Sequence, residues 1–325
     1  MKQDRQQVRT LRVGAIQVES QPGRIGANHA HALPFIETAV DRGAQLVILP
    51  ELFACGYIPN RSIWEYGETL DGPTVAWLRQ TSRRWGIYLG AGFVEVEGVD
   101  FFNSFALTGP DGNLAGCARK TGAEAYCFRY RAGHHIIETE IGRLGVGICA
   151  DNHAASFPKL LEHSGIDMVL MPHASPMPYR TARHISEADI ERARDNTISL
   201  PTLYAKLLGI PALFVNAVGP LQPMTGLLGR FMTPDLFRLR GLSRIADSDG
   251  ALLAALDEKE GVLVAEVTLD PARKQKGEAP DYGGWLHPGA KLTRKVIIPL
   301  DIALGRATYA LSLQRRRRTR SALGS

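Results

Sequence analysis

Cysteine is scarce in this 325-residue chain: Cys55, Cys117, Cys127 and Cys149 are all there is. None sits in a C-x-x-C pair and no spacing matches a zinc site, which argues against a disulfide framework and a structural metal. The pairs His29/His31 and His134/His135 match no zinc pattern either. No apolar run reaches the ~20 residues a membrane helix needs. The opening MKQDRQQVRT is polar and lacks the apolar core of a secretory signal. The expectation is a cytoplasmic protein with free thiols and no membrane partner. P-loop, G-x-G-x-x-G and G-x-S-x-G patterns are missing too, so nucleotide chemistry is not implied and no cofactor is expected.

Charge of one sign is also missing over most of the chain. The 38 Lys+Arg exceed the 33 Asp+Glu by five, and Arg315, Arg316, Arg317, Arg318 and Arg320 account for that excess. A charge confined to one run is expected to mark a solvated, unstructured end. Nucleic acid is therefore not an expected partner, although a basic tail is the feature that would bind it. Hydrophobic residues at 45% and charged residues at 22% exclude a wholly disordered chain. There is no Pro/Gly/Ser-rich linker and no short repeat. One domain over residues 8–270 is expected, followed by a C-terminal arm and basic tail over 271–325.

What is present is an alternation of strands and helices. Residues 11–18 read as a strand and 25–42 as an amphipathic helix that Gly43 stops. QLVILP is a short, continuously apolar run, as in strands buried on both faces. A helix near 74–85 precedes the strand IYLGAGFVEV. FFNSFALTGPDGNLAGCARK reads as a hairpin turned by Pro110-Asp111-Gly112. HIIETEI, LGVGIC, DMVLMP and PALFVNAV are further strands, with helices near 155–163 and 188–208. GLSRIADSDGALLAAL reads as a hairpin and GVLVAEVTL as an edge strand. The chain is thus α/β with one or more mixed sheets. The segment 220–240 is open between lid, oligomer contact and core.

Three of these strands end in a reactive side chain: LVILP in Glu51, the hairpin in Arg119-Lys120, and LGVGI in Cys149. Ligands of α/β sheets collect at the carboxyl ends of strands. The sequence after Cys149 reads as a sharp strand-to-helix turn, and a helix N-terminus there would favour thiolate. A structural reading exists for each residue alone: a buried thiol, a strand-end charge, a solvated basic pair. Convergence of all three is what points to chemistry.

PELFACGY (50–57), RKTGAEAY (119–126) and GRLGVGICADN (142–152) resemble, in order and spacing, the three signature blocks of the nitrilase superfamily, the carbon–nitrogen hydrolases. AIQVES, Asn103-Ser104, MPHASP and FVNAVG add to the resemblance, which covers roughly residues 8–269. It implies a four-layer α-β-β-α sandwich, usually paired into a homodimer or higher homo-oligomer. It implies a Glu-Lys-Cys triad with Glu51 as general base, Lys120 as oxyanion-stabilising cation and Cys149 as nucleophile. Glu124 matches the second glutamate of many members, across a shorter Lys-to-Glu stretch than is common. Tyr57, Ala150 and His173 fall where pocket residues sit. True nitrilases typically carry Trp-Glu after the cysteine; Ala150-Asp151 here turns the expectation from nitriles to small amides or N-carbamoyl compounds.

An amide carbonyl is a poor electrophile, so it needs a strong nucleophile and a stabilised oxyanion. The three residue types supply both and leave a thioester that water cleaves; an amine in place of water would make the enzyme an acyl- or amidotransferase. A non-catalytic binding protein using the arginine tail is the alternative from another class.

Overall fold

The computed structural model describes residues 7–122, 124–130 and 133–324. Along the chain run β1 (Arg9–Gln17), α1 (Ile25–Asp41), β2 (Leu46–Ile48), α2 (Pro73–Trp85), β3 (Tyr88–Glu97), β4 (Asp100–Thr108), β5 (Leu114–Arg119), β6 (Ile136–Thr139) and β7 (Gly142–Val146). Then come α3 (Phe157–His163), β8 (Met168–His173), β9 (Pro176–Pro178), α4 (Glu187–Leu208), β10 (Ala212–Asn216), β11 (Val218–Pro220), β12 (Phe237–Arg240) and β13 (Arg244–Ala246). β14 (Leu252–Ala255), β15 (Gly261–Leu269), α5 (Ile298–Leu311) and α6 (Leu313–Leu323) complete it.

Two six-stranded sheets form, ordered β15-β1-β2-β3-β4-β5 and β14-β13-β10-β8-β7-β6, with a small sheet β11-β12-β9 beside them. In each large sheet the central pairings are parallel: β1-β2-β3 in one and β7-β8-β10 in the other. Period-two alternation decides the layers. Leu46 and Ile48 of β2 and Met168 and Leu170 of β8 point into one core between the two sheets. Val47, on the opposite face of β2, packs with Ala32, Ile36 and Ala39 of α1 and Val75 and Leu78 of α2. Val169 and Met171, on the opposite face of β8, pack with Leu161 of α3 and Leu200 and Tyr204 of α4. The result is the expected α-β-β-α sandwich.

The helix α4 begins and ends where its sequence dictates. Ser186 caps α4 by accepting from Asp189 N–H, Asp189 answers to Ser186 N–H, and Gly209 ends the helix in the left-handed conformation at φ 64°. β15 lies at a sheet edge, as its sequence implies. Among the described residues no single helix is long and apolar enough to cross a membrane; Thr293–Leu311 and Leu313–Leu323 pass that test only together, and they are bent by 62°.

The basic run is not an unstructured end. It forms α6, and Arg315 is only 4% exposed. Arg315 Nη1 lies 2.7 Å from Asp100 Oδ1 and also donates to Val99 O, and its guanidinium stacks 4.5 Å from the Tyr309 ring. Tyr309 in turn donates to Asp100 and accepts from Phe101 N–H. A charge count along the sequence cannot distinguish a solvated arginine from one that docks its helix on the start of β4.

Candidate active site

Glu51 stands three residues beyond the end of β2, and the chain turns sharply after it: Leu52 has φ 50°. That bend is possible because Gly92 of β3 passes beneath, where a Cβ would stand 2.3 Å from Leu52 N and 2.7 Å from the Glu51 backbone. Lys120 follows β5, and its N–H donates to Asn103 O on the neighbouring β4 (2.9 Å). Cys149 opens a short 3-10 helix (Cys149–His153) beyond β7, with φ 48°. Glu124 has φ 41°. Three of the four non-glycine residues with positive φ among those described therefore lie in or beside the predicted site, the fourth being Leu242. Backbone of this kind is held only where its surroundings over-determine it.

The side chains converge. Lys120 Nζ lies 2.6 Å from Glu51 Oε1 and 2.8 Å from Glu124 Oε2. Asn103 Nδ2 also donates to Glu51 Oε1 (2.7 Å), and Ala174 N–H donates to Glu51 Oε2 (2.8 Å). Tyr57 donates its phenol proton to Glu124 Oε1 (3.0 Å). Glu51, Lys120 and Cys149 are 1%, 5% and 7% exposed, so their mutual charges act in a poorly screened medium.

Burial alone would push Lys120 down, but the Glu124 and Glu51 carboxylates outweigh it and hold the ammonium well above its usual range. Burial raises Glu124, with Lys120 opposing and Glu51 reinforcing. Cys149 is held well above the ordinary thiol range, first by burial, then by the charge of Glu51, with Lys120 pulling the other way and a hydrogen bond to Glu51 adding to the rise. These surroundings favour the neutral thiol at Cys149, hydrogen-bonded to Glu51. This corrects the expectation of a thiolate stabilised by a helix N-terminus: the α-helix begins only at Phe157, and the turn at Cys149 is a 3-10 helix too short to offset burial.

The turn itself is braced from inside. Asp151 Oδ2 accepts from Ile148 N–H and Oδ1 from Thr121 N–H, both at 3.1 Å, tying the Cys149 loop to the Lys120 loop. Burial raises the Asp151 carboxyl to about 7. Asn152 Nδ2 donates to Gly147 O (2.5 Å) and meets His173 Nε2 at 2.9 Å.

Of the residues singled out from sequence, Glu51, Lys120, Cys149, Glu124 and Tyr57 form one cluster, and Ala150 stands in the first turn after Cys149. His173 is placed differently. It is 0% exposed, packed 4.5 Å from the Phe214 ring on the helix-facing side of its sheet. Its strand serves the site through the next residue, Ala174, whose N–H holds Glu51. Asn103, Asp151 and Ala174 were not assigned site roles from sequence. Asp151 lies inside the third signature block, and Asn103 and Ala174 lie in Asn103-Ser104 and MPHASP, which add to the resemblance; Ala174 acts through its backbone, so its side chain named no role.

A family model described as carbon-nitrogen hydrolase matches residues 12–276. The chain is 30% identical over 176 residues to a nitrilase of Pyrococcus abyssi (52% of this chain, 67% of that protein). It is 29% identical over 184 residues to the omega-amidase NIT2-B of Xenopus laevis (53% of this chain, 66% of that protein). It thus spans about two thirds of the length of each. A crystal structure of a carbon-nitrogen hydrolase from Helicobacter pylori superposes with a TM-score of 0.71 at 22% identity, covering 82% of this chain and 91% of that one. That likeness is one of fold.

Proposed function

Because this chain belongs to the carbon–nitrogen hydrolase family, we propose that it hydrolyses a small amide or N-carbamoyl compound through a Cys149 thioester. The observation that carries the reading is a buried ammonium, Lys120, gripped by two carboxylates at 2.6 and 2.8 Å beside a thiol that hydrogen-bonds one of them.

Glu51 takes the Cys149 proton as sulfur attacks the carbonyl carbon, so no free thiolate has to be maintained in a buried site. The carbonyl oxygen becomes an oxyanion. Lys120 Nζ and the N–H of Ala150, which has no intrahelical acceptor in the first turn, hold that charge. The same proton passes from Glu51 to the leaving nitrogen, the C–N bond breaks, and ammonia or an amine departs. Water then gives a proton to Glu51 and its oxygen to the thioester, and the proton returns to sulfur as the acid leaves. Glu124 and Tyr57 fix Lys120 from the far side, so the ammonium cannot swing wholly onto Glu51.

Association into a homodimer belongs to this reading. Leu292, Val296, Leu300 and Leu304, spaced by four and 43–67% exposed, present an apolar row for it; light scattering on the purified chain measures it. The four free cysteines suit a reducing compartment, and the reading puts the enzyme in the cytoplasm.

Ammonia release is to be measured over aliphatic amides, aromatic amides, N-carbamoyl amino acids, ω-amido acids and nitriles, with Cys149→Ala beside the wild type. Turnover by the wild type alone, with a trapped acyl-enzyme on Cys149 by mass spectrometry, is expected. Full activity in Cys149→Ala would end the proposal.

A further inference from the structure

Asn103 is fastened into the cluster by its backbone and by one end of its side chain. It pairs with Val94 of β3. Its backbone oxygen takes the Lys120 N–H (2.9 Å), and its Nδ2 donates to Glu51 Oε1 (2.7 Å). The other end, Oδ1, is different. The residue is 2% exposed, and Oδ1 is a buried oxygen with no hydrogen-bond partner among the described residues. Turning the amide over does not mend this, because Oδ1 would then face the Glu51 carboxylate, oxygen against oxygen. A buried acceptor left alone is costly and rare enough in folded proteins to call for a reason. The other buried side-chain atoms in that condition, on Arg61, Arg143, Asn152, His173, Arg244 and His287, belong to residues that make no hydrogen bond to Glu51, Lys120 or Glu124. Asn103 Oδ1 is the one at the cluster.

The cluster is otherwise rich in donors and poor in acceptors. Lys120 Nζ and the Ala150 N–H serve the oxyanion in the hydrolase reading, while Asn103 Nδ2 and the Ala174 N–H are spent on Glu51. Glu51 Oε1 meets both Lys120 and Asn103, and Oε2 meets Ala174. The Glu124 oxygens meet Lys120 and Tyr57. An amide nitrogen brings the opposite need, since its hydrogens require acceptors. Glu51, which hands it a proton, stands on one side of that nitrogen. Asn103 Oδ1 offers a neutral acceptor on another. Oδ1 and Nδ2 share one carbon, so amide geometry keeps Oδ1 within about 5 Å of Glu51 Oε1. Two hydrogen bonds of about 2.9 Å from a single nitrogen span that distance.

We infer that Asn103 Oδ1 is the acceptor for the scissile nitrogen, a catalytic residue beyond the Glu-Lys-Cys triad that favours a nitrogen leaving group over an oxygen one. The inference rests on the hydrolase reading and deepens it. After sulfur attacks the carbonyl carbon, the proton taken from Cys149 passes from Glu51 to the nitrogen, the electron pair of the C–N bond goes with that nitrogen, and ammonia departs. Asn103 takes no proton in this step. Its oxygen holds an N–H, so that the nitrogen lone pair is aimed at the proton on Glu51. An ester oxygen in the same place brings no hydrogen, and Oδ1 then has nothing to accept.

Asn103→Ala and Asn103→Leu are to be compared with the full-length wild type on propionamide, benzamide and succinamate, each beside its methyl ester. kcat/KM is read for both members of a pair, so the thioester hydrolysis they share drops out. Both variants also lose the Nδ2 donor to Glu51, which slows amide and ester alike. Loss of Oδ1 is expected to lower kcat/KM for the amide by at least about tenfold more than for its ester, the scale of one hydrogen bond. Thermal melting confirms folding, and the leucine keeps the side-chain volume where the alanine leaves a gap. A parallel fall for amide and ester in a folded variant makes Asn103 a support for Glu51 alone; it overturns the inference and leaves the hydrolase. Unchanged amide turnover overturns it too. A wild type that cleaves no member of any pair ends the hydrolase reading, and the inference with it.

Discussion

Glu51 is held from three directions, by Lys120 Nζ, Asn103 Nδ2 and Ala174 N–H. All three are donors, so the site is built for a carboxylate and not for its amide. In Glu51→Gln the shape survives, but one donor meets another and the proton acceptor is gone. kcat/KM is expected to fall by about 100-fold or more, the usual size of a general-base contribution, with KM changing far less. Alkylation of Cys149 by iodoacetamide at neutral pH should slow in parallel. Steady-state kinetics and the alkylation rate check this; wild-type values in both would remove Glu51 from its role. That Glu51, Lys120 and Cys149 converge was legible from the sequence, because each is a reactive residue at or just beyond the end of a strand. That His173 turns into the helix-facing layer was not, because which face a strand-end side chain takes depends on where the strand stops.

At the scale of elements, two contacts between neighbours are decisive. Gly92 lets β3 pass under the Glu51 turn, and an added methyl has no room against Leu52 N at 2.3 Å. Gly92→Ala is expected to destabilise by about 1–3 kcal/mol, as overpacking does, and to lower kcat/KM at least tenfold by displacing Glu51. Thermal melting and kinetics on the same sample test both halves; a stable and fully active variant would mean the turn relaxes freely. At the other end of the chain Arg315 docks α6 on Asp100, Val99 and Tyr309. Arg315→Ala removes a buried charge-assisted pairing and should cost about 1–3 kcal/mol, exposing α6 to proteases. Arg317→Ala, on an exposed position of the same helix, should change neither melting nor the proteolytic pattern.

For the whole molecule, histidines held below their ordinary range are expected to set the acid limit. His29, stacked 4.5 Å from the Trp77 ring, and His153 are both lowered to about 4 from the unfolded value of 6.5. A depressed pKa means the unfolded chain binds the proton first, so the stability these residues confer is complete above pH 6.5 and is lost as pH falls through 4. Buried His29 alone accounts for about 3 kcal/mol over that window at 1.36 kcal/mol per pH unit. The melting temperature should therefore drop steeply between pH 6.5 and 4, and His29→Gln should flatten the slope. An identical slope in wild type and variant would assign the acid limit elsewhere. Asp151, raised to about 7, works in the opposite sense, its contribution shrinking as pH rises from 4 toward 7.

The sequence by itself determined the alternation of strands and helices and the placing of Glu51, Lys120 and Cys149 at strand ends, which follow from local quantities such as apolar period and turn residues; the four layers were legible through the resemblance of its three blocks to a known family. Only the tertiary structure decided that the Cys149 thiol is held well above its ordinary range, because that depends on its burial and on Glu51 and Lys120 arriving from strands far apart in the chain. Only it turned the arginine run into a docked helix, because a buried partner such as Asp100 lies some two hundred residues away. And only it laid the segment around Trp285 against the Cys149 turn, since the backbone pairing of Trp285 with Ala154 leaves no trace in side-chain pattern.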